Sequence, residues 1–165
     1  MKKLLILTLI CLSFSCKKQT KKTTTYYLIR HAEKERTDSL NKNPDLNLKG
    51  QQRAIKWSNT FNAINFDAIY TTNYKRTIQT AQPTANKQNI KLKFYNANQL
   101  YSQEFKKNTT GKTVLVVGHS NTTPSFVNAI IKQDKYKAIN DTVNSNLFKV
   151  TITNGKINDT LIDNK

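Results

Sequence analysis

Residues 113–117, Thr-Val-Leu-Val-Val, are the stretch of sequence that decides the fold. Four of these five residues are β-branched, and the run is continuously apolar. Such a run is typical of a strand that lies inside a parallel sheet and is covered on both faces. Gly118 and His119 follow it directly. The stretch therefore predicts an α/β protein with a polar site residue at the end of a buried strand.

Working outward from this strand, strand-like and helix-like segments alternate from residue 25 onward. The predicted strands are 25–29, 66–70, 90–94 and 113–117, and the predicted helices are 48–63, 73–86 with an end near Pro83, 99–106 and 122–131. Asn47 is the predicted cap of the first helix. Asn154-Gly155 predicts a tight turn between strands at 147–152 and 156–162. We expect a three-layer α/β sandwich: a mostly parallel central sheet, helices on both faces and a C-terminal antiparallel hairpin.

Length and composition limit the class of protein further. The chain has 165 residues, of which 37% are hydrophobic, so one domain with a core is expected and disordered or collagen-like classes are excluded. Two cysteines exclude a disulfide-rich scaffold and a four-cysteine zinc site. The net charge of +17 is either a consequence of Lys- and Asn-rich composition or a field that attracts anions. No pattern of basic and aromatic residues indicates a nucleic-acid partner.

The N-terminus reads as a targeting signal. Met1-Lys2-Lys3 is positively charged, and the apolar run at 4–14 is too short to span a bilayer. Ser15 precedes Cys16 in a pattern that resembles a bacterial lipobox, which implies lipidation of Cys16 and a protein exported and anchored to the cell envelope membrane. We therefore expect a signal peptide at 1–15, the lipidated Cys16 and a polar tether at 16–24, and one domain at 25–165. The alternative is plain secretion after cleavage.

The residues that carry chemistry lie just after two predicted strands. His31 and His119 are the two histidines of the chain, and each follows a strand directly. Arg30 precedes His31, and Arg76 lies a few residues after the strand at 66–70. Because ligands bind outside the carboxyl ends of strands in open α/β sheets, we expect these four side chains to share one site.

Two guanidinium groups and two imidazoles favour phosphoryl chemistry. Arginine can grip a tetrahedral oxyanion with two parallel hydrogen bonds, which lysine cannot match. A neutral imidazole can attack phosphorus and form a covalent intermediate, while the other cationic and polar groups stabilise charge on the remaining oxygens. Two histidines alone make a poor catalytic zinc site, so neither a metal nor a cofactor is expected.

Four motifs in order resemble the histidine phosphatase superfamily, which shares the phosphoglycerate-mutase fold. The sequences are Arg30-His31-Ala32-Glu33-Lys34, Asp45-Leu46-Asn47-Leu48-Lys49-Gly50, the segment from Thr71 to Ala81 with Arg76 inside it, and Gly118-His119-Ser120-Asn121. The resemblance covers residues 25 to about 132. It implies that His31 is the phosphorylated nucleophile and that Arg30, Arg76 and His119 bind the phosphoryl group. It also places Thr72 near a polar position of the family, without a role.

The chain departs from this family at the general acid. Many members supply a carboxylic acid between the Arg76-type helix and the second histidine, but residues 96–101 contain no carboxylate. Glu33 is the candidate for donating a proton to the leaving oxygen. The alternative is that Glu33 only pairs with Lys34 or Arg36.

These observations predict a metal-independent phosphatase that hydrolyses phosphate monoesters through phosphohistidine. Its partners would be a phosphorylated small molecule or a phosphoprotein, together with the membrane through the lipid anchor. The missing carboxylic acid motivates an alternative, which is a weak or inactive lipoprotein of the same fold that binds a phosphorylated ligand. The sequence does not select a substrate.

Overall fold

The computed structural model describes residues 22–164. The predicted signal peptide at 1–15, Cys16 and the tether up to residue 21 lie outside the described residues. The elements in chain order are β1 (Thr23–Arg30), α1 (Leu48–Thr60), β2 (Ala68–Thr71), α2 (Lys75–Lys87), β3 (Leu92–Phe94), α3 (Gln103–Thr109), β4 (Thr113–Gly118), α4 (Thr122–Ile131), β5 (Asn146–Thr153) and β6 (Lys156–Asp163).

One six-stranded sheet organises the chain in the order β3-β2-β4-β1-β5-β6. Strands β3, β2, β4 and β1 run parallel, whereas β5 is antiparallel to β1 and β6 is antiparallel to β5. The predicted mostly parallel sheet with a C-terminal antiparallel hairpin is therefore confirmed. Asn154 and Gly155 form the hairpin turn with positive φ angles of 52° and 80°, as expected of a tight turn with this dipeptide.

The core lies in two layers, one on each face of the sheet. Along β4, Val114 and Val116 face one layer and Leu115 and Val117 face the other, because successive side chains of a strand point to opposite faces. The first layer contains apolar side chains of α3 and α4, and the second contains those of α1 and α2. The three-layer sandwich with helices on both faces is thus confirmed, and the buried strand at 113–117 lies inside it as predicted.

Helix boundaries follow local hydrogen bonds. Asn47 caps α1 as predicted, since its side-chain oxygen accepts from the backbone N–H of Gly50 at 2.9 Å. The same helix ends at Thr60 instead of residue 63, because a tight turn follows in which Phe61 accepts from the N–H of Ile64. The Ser102 side chain accepts from Phe105 at 3.2 Å, and so α3 begins later than the predicted 99–106 segment.

Two other boundaries differ from the sequence-based expectation. Helix α2 continues through Pro83 to Lys87, because Ala81 and Ala85 on either side of the proline are buried against the sheet. The whole buried face of α2, which is Thr77, Thr80, Ala81, Thr84 and Ala85, offsets the cost of a proline inside a helix, about 3 kcal/mol. Strand β1 begins at Thr23, which the sequence placed in the tether, since Thr23 and the next residue pair with β5.

Between residues 22 and 164, none of the helices combines the length and the apolar character that crossing a membrane requires.

Candidate active site

The sheet brings the ends of β1 and β4 together. These strands are parallel neighbours, and the register pairs Arg30 with Gly118, so His31 and His119 follow at the same edge. The backbone N–H of His31 donates to the carbonyl of Gly118 at 2.9 Å. The two imidazole rings lie with centroids 5.5 Å apart at an angle of 68°. The convergence expected from the sequence is therefore present in the structure.

His31 is held as a neutral imidazole with one nitrogen available. Its Nδ1 lies 2.7 Å from the backbone oxygen of Ala32, which can only accept, so Nδ1 carries the proton and Nε2 carries the lone pair. Its backbone is also held, because the amide of Asn144 donates to the His31 carbonyl at 2.9 Å. Burial lowers the pKa of His31 to about 3, and the nearby Arg30 lowers this pKa further against the opposing hydrogen bond to Ala32. The side chain has the protonation state that a nucleophile requires.

A chain of hydroxyl groups fixes the other histidine. The Thr77 hydroxyl lies 2.9 Å from the carbonyls of Thr72 and Tyr74, to which it donates. It therefore accepts from the Thr72 hydroxyl at 3.0 Å, and Thr72 in turn accepts from Nε2–H of His119 at 2.9 Å. The lone pair of His119 Nδ1 then faces Arg76, whose Nη2 donates to it at 3.4 Å.

The electrostatic surroundings keep His119 neutral as well. Burial lowers the pKa of His119 to about 4, and the positive charges of Arg76, Arg30 and Lys34 act in the same direction. A bound dianion would reverse these charge effects, so His119 can take up a proton at Nδ1 and donate it to an anionic oxygen.

Arg30 is a buried guanidinium with part of its hydrogen-bonding capacity already used. Its side chain is 2% exposed. Nη1 donates to the carbonyls of Asn140, Asp141 and Val143 at 2.9–3.1 Å, and Nη2 donates to the Asp141 carboxylate at 2.5 Å. Its Nε is buried without a partner among the described residues. The loop at 140–143 thus orients the guanidinium, and Nε with the second Nη2 proton remains for an anion.

Arg76 lies in the first turn of α2, at the same edge of the sheet. Its guanidinium carbon lies 4.5 Å from the centroid of the Tyr74 ring, and Nη1 donates to the carbonyl of Lys42 at 3.4 Å. Arg76 forms no ion pair with a carboxylate of the part of the chain that the structure describes. Its Nε, like that of Arg30, is buried and has no hydrogen-bond partner within residues 22–164. Two orphaned guanidinium N–H groups next to two neutral histidines indicate a site for an oxyanion.

Two glycines permit the close approaches on which the site depends. A Cβ on Gly118, the last residue of β4, would lie 2.8 Å from the hydroxyl oxygens of Thr123 and Tyr95, so any larger residue there would displace these side chains. A Cβ on Gly50 would collide with the backbone oxygen of Glu33. The first turn of α1 thereby packs directly on the segment that follows His31.

Glu33 has a partner that the sequence did not indicate. Its carboxylate accepts from Nε and Nη2 of Arg53 at 2.8–2.9 Å, and Lys49 lies 4.0 Å away. The alternative partners named from the sequence, Lys34 and Arg36, form no ion pair with Glu33 within residues 22–164. Instead, α1 presents Arg53 to this carboxylate across 20 residues of sequence. Although burial opposes it, the hydrogen bonds from Arg53 lower the pKa of Glu33. An ionised carboxylate accepts protons and does not donate them.

The converging side chains line a cleft of about 330 Å³. Its walls include Arg30, His31, Arg76 and His119, and also residues to which the sequence assigned no role in the site: Lys34, Tyr74, Ala97 and Asp141. Glu33 lines an adjoining cleft instead. A separate cleft of about 350 Å³ lies beside the edge strand β3 and contains neither histidine nor arginine in its wall. Within residues 22–164, no group of three or more His, Cys, Asp or Glu side chains could hold a metal ion.

Comparison with known proteins agrees with this geometry. Residues 26–97, which contain Arg30, His31 and Arg76, match the family model described as the histidine phosphatase superfamily (branch 1). This match supports a place in the histidine phosphatase superfamily. None of the curated proteins compared with the chain matches it in sequence.

Several solved structures share the fold of this chain. A mutant phosphoserine phosphatase from Entamoeba histolytica in complex with phosphoserine is 16% identical with a TM-score of 0.66, over 86% of this chain and 97% of that one. The protein histidine phosphatase SixA complexed with tungstate is 12% identical with a TM-score of 0.65, over 84% and 96%. A phosphoglycerate mutase from Bacillus anthracis is 16% identical with a TM-score of 0.64, over 86% and 93%. The likeness extends over the whole described domain and establishes its fold.

Proposed function

We propose that this protein is a member of the histidine phosphatase superfamily and a phosphatase that hydrolyses phosphate monoesters through a phosphohistidine at His31. The observation that carries the proposal is the state of the His31 ring. Its Nδ1–H is held by the Ala32 carbonyl, its Nε2 lone pair is available, and its ring lies 5.5 Å from that of His119.

The first step transfers the phosphoryl group to the protein. Nε2 of His31 attacks phosphorus, the bond from phosphorus to the ester oxygen breaks, and the leaving oxygen departs with the electron pair and takes a proton from water. Arg30, Arg76 and His119 hold the three other phosphoryl oxygens, where charge accumulates. Once Nε2 carries the phosphoryl group, the imidazole ring of His31 is positively charged. Nδ1 keeps its proton, which stays hydrogen-bonded to the Ala32 carbonyl.

The second step returns the free histidine. A water molecule attacks phosphorus from the side that the leaving group has vacated, the bond between Nε2 and phosphorus breaks, and inorganic phosphate is released with the water proton lost to solvent or to phosphate. The same three side chains stabilise the phosphoryl oxygens in both steps.

Within residues 22–164, neither carboxylate that lines the two clefts is suited to protonate the leaving oxygen. The pKa of Glu33 is lowered by its hydrogen bonds from Arg53, and the pKa of Asp141 is lowered by Arg36 and Arg30 despite the opposing effect of burial. We therefore propose that the phosphatase acts without Glu33 as proton donor. Esters whose leaving groups need little protonation are the preferred substrates.

Release of p-nitrophenol from p-nitrophenyl phosphate by the purified full chain tests the function. We expect turnover that His31→Ala abolishes. Prolonged treatment with EDTA should leave the rate unchanged, because two guanidiniums and His119 supply the charge that a metal would otherwise supply. A loss of rate that added zinc restores would contradict the metal-independent mechanism.

The lack of a neutral carboxylic acid also supports a second candidate, a protein of the same fold that binds a phosphorylated ligand without turnover. This candidate predicts that the chain binds inorganic phosphate or vanadate, as measured by calorimetry, but releases no p-nitrophenol. Arg76→Ala would weaken that binding in either case.

We also propose that the chain is exported and anchored through a lipid on Cys16. The support is the sequence pattern at residues 1–16. Metabolic labelling with a radioactive fatty acid tests it: label should enter the full chain and its Cys11→Ser variant, and should be lost in Cys16→Ser. Label retained in Cys16→Ser would contradict the anchor.

A further inference from the structure

The end of the sheet opposite the two histidines is formed by the starts of its parallel strands. Thr23 of β1 pairs with Thr153 of β5, which pairs with Lys156 at the start of β6. Because β1, β2, β3 and β4 are parallel, the residues just before them lie at this same end. The last turns of α2 and α3 reach it as well, since each of these helices leads into the next parallel strand.

Exposed lysines gather at this end of the domain. One precedes each of β1, β3 and β4, one begins β6, and three lie in the last turns of α2 and α3. We call these seven residues the basic end: Lys22, Lys91, Lys112, Lys156, Lys87, Lys106 and Lys107. Lys112 is half-buried, and the other six are exposed. The positive charges of the basic end therefore face solvent.

The lysines of the basic end have no acidic partners. None of the seven forms an ion pair with a carboxylate of residues 22–164. Asp67 precedes β2 among them, but its carboxylate accepts from the backbone N–H of Thr113 at 2.7 Å. The partial negative charge at the C-termini of α2 and α3 favours three of the lysines. The four at the strand starts lack that compensation, so a negatively charged partner would stabilise the basic end.

The chemistry of the basic end fits a diffuse layer of negative charge. It contains lysines alone, whereas the four arginines of the chain lie in β1, in the loop after it, and in α1 and α2. Within residues 22–164, the large apolar and aromatic side chains that are exposed lie elsewhere: Leu40, Leu48, Ile55, Tyr74, Phe94, Leu161 and Ile162. A nucleic-acid site would use arginine forks or exposed rings on which bases stack. Lipid headgroups require neither of these features.

The chain also enters the domain at the basic end, because Lys22 precedes β1. Residues 17–22 contain four lysines and no acid, and Cys16 stands six residues before Lys22. Six residues of chain span at most about 20 Å. The lipid proposed for Cys16 would therefore hold the basic end close to the membrane surface, where anionic headgroups attract lysines.

We propose that the basic end docks on an anionic lipid surface, so that the cleft with His31 and His119 opens on the side away from the membrane. The six residues of β4 separate the two ends of the sheet by about 20 Å. A substrate would then reach His31 from the aqueous side while the domain is docked. The proposed phosphatase function does not use this surface, so either proposal can fail without the other.

Co-sedimentation of the full chain with vesicles tests the docking. One set of vesicles is phosphatidylcholine alone, and the other is equal parts of phosphatidylcholine and phosphatidylglycerol. The ratio of the two partition coefficients reports the attraction to charge, because apolar contacts contribute to both. A lysine at an anionic surface contributes up to about fivefold. The combined variant Lys91→Gln, Lys107→Gln and Lys156→Gln should therefore lower the ratio by about 30-fold to 100-fold.

The control variant combines Lys42→Gln, Lys49→Gln and Lys75→Gln. It removes the same charge from the other end of the domain, since Lys42 lies in the loop after β1 and the other two lie in the first turns of α1 and α2. The control should keep nearly the wild-type ratio. Equal losses in the two variants, or a wild-type ratio close to one, would overturn the docking. Turnover of p-nitrophenyl phosphate by the basic-end variant should equal that of the wild type, which separates this test from that of the phosphatase function.

Spin labels test the orientation directly. A nitroxide is attached at Thr110→Cys, which is exposed beside the basic end, or at Ser39→Cys, which is exposed in the loop after β1. Both variants carry Cys11→Ser and Cys16→Ser. On anionic vesicles with a nickel-chelating lipid, relaxation should be faster for the label at 110 than for the label at 39. Equal relaxation would overturn the docking, as would a wild type that binds a DNA duplex through the basic end and shows no preference for anionic vesicles.

Discussion

Nε2 of His119 donates to the Thr72 hydroxyl at 2.9 Å, and this single contact fixes which nitrogen of the His119 ring meets the oxyanion. With Nε2 engaged, Nδ1 faces Arg76 and the cleft. The contact therefore links a buried threonine to the protonation of a phosphoryl-binding group.

Thr72→Val tests this link, because valine keeps the shape of the side chain but cannot accept a hydrogen bond. We expect kcat to fall about tenfold, since the loss of one hydrogen bond releases the orientation of His119. Thr72→Ser should retain most of the rate. The tautomer of His119, measured by ¹⁵N NMR, should be mixed in Thr72→Val and fixed in the serine variant; an unchanged tautomer in the valine variant would contradict the hydroxyl chain.

Arg76 and His119 should each contribute through the phosphoryl oxygens. We expect Arg76→Ala and His119→Ala to lower kcat/KM by about 10²–10³-fold, the loss typical of a preorganised oxyanion donor. The matched control is Arg53→Met, which removes a guanidinium from α1 outside the cleft that contains both histidines. A loss in Arg53→Met as large as that in Arg76→Ala would mean that general charge, and not contact with the phosphoryl group, sets the rate.

Glu33 should act through structure and not through proton donation. Because its carboxylate and the Arg53 guanidinium are 16% and 18% exposed, Glu33→Gln should lower the free energy of unfolding by about 2 kcal/mol. The dependence of kcat/KM on the pKa of the leaving group, measured with a series of substituted phenyl phosphates, should be steep and equal in the wild type and in Glu33→Gln. A shallow dependence in the wild type that becomes steep in Glu33→Gln would show that Glu33 is the proton donor.

The two histidines should make the fold sensitive to acid. In the folded state the pKa of His31 is about 3 and that of His119 is about 4, against 6.5 as the ordinary value. The unfolded chain therefore binds more protons below about pH 6.5, so the free energy of unfolding falls as the pH falls. For His31 the fall continues down to about pH 3, at about 1.4 kcal/mol per pH unit.

Urea unfolding at about pH 7 and about pH 5 checks this dependence. The loss of stability between the two pH values should be smaller in His31→Asn than in the wild type, and vanadate should reduce the loss in the wild type because a bound anion stabilises the folded imidazolium. Equal losses in the wild type and in His31→Asn would contradict the lowered pKa of His31.

The fold and the position of the site could be predicted from the sequence, and the reason is physical. The β-branched, apolar run at 113–117 favours a covered strand, and parallel strands end at a common edge. His31 and His119 thus had to meet once β1 and β4 were neighbours. The turn at Asn154 and Gly155 was predictable in the same way, because its geometry is local.

The partners of the site residues were not predictable from the sequence. Arg53 reaches Glu33 across 20 residues, and Asp141 reaches Arg30 across 111 residues. Such contacts depend on how α1 and the loop at 140–143 pack on the end of β1, and no local pattern encodes that packing. The continuation of α2 through Pro83 has the same origin, since packing of the whole buried face of the helix offsets a local preference.

The most direct test of the central claim is to trap the phosphorylated protein. The full chain is mixed with p-nitrophenyl phosphate, quenched within the first turnover in alkali, where phosphohistidine is stable, and mapped by mass spectrometry. The account predicts one acid-labile phosphoryl group on the peptide that contains His31, absent from His31→Ala and present in Glu33→Gln. Turnover by the wild type with no phosphoryl group on His31, or with the group on His119, would contradict it.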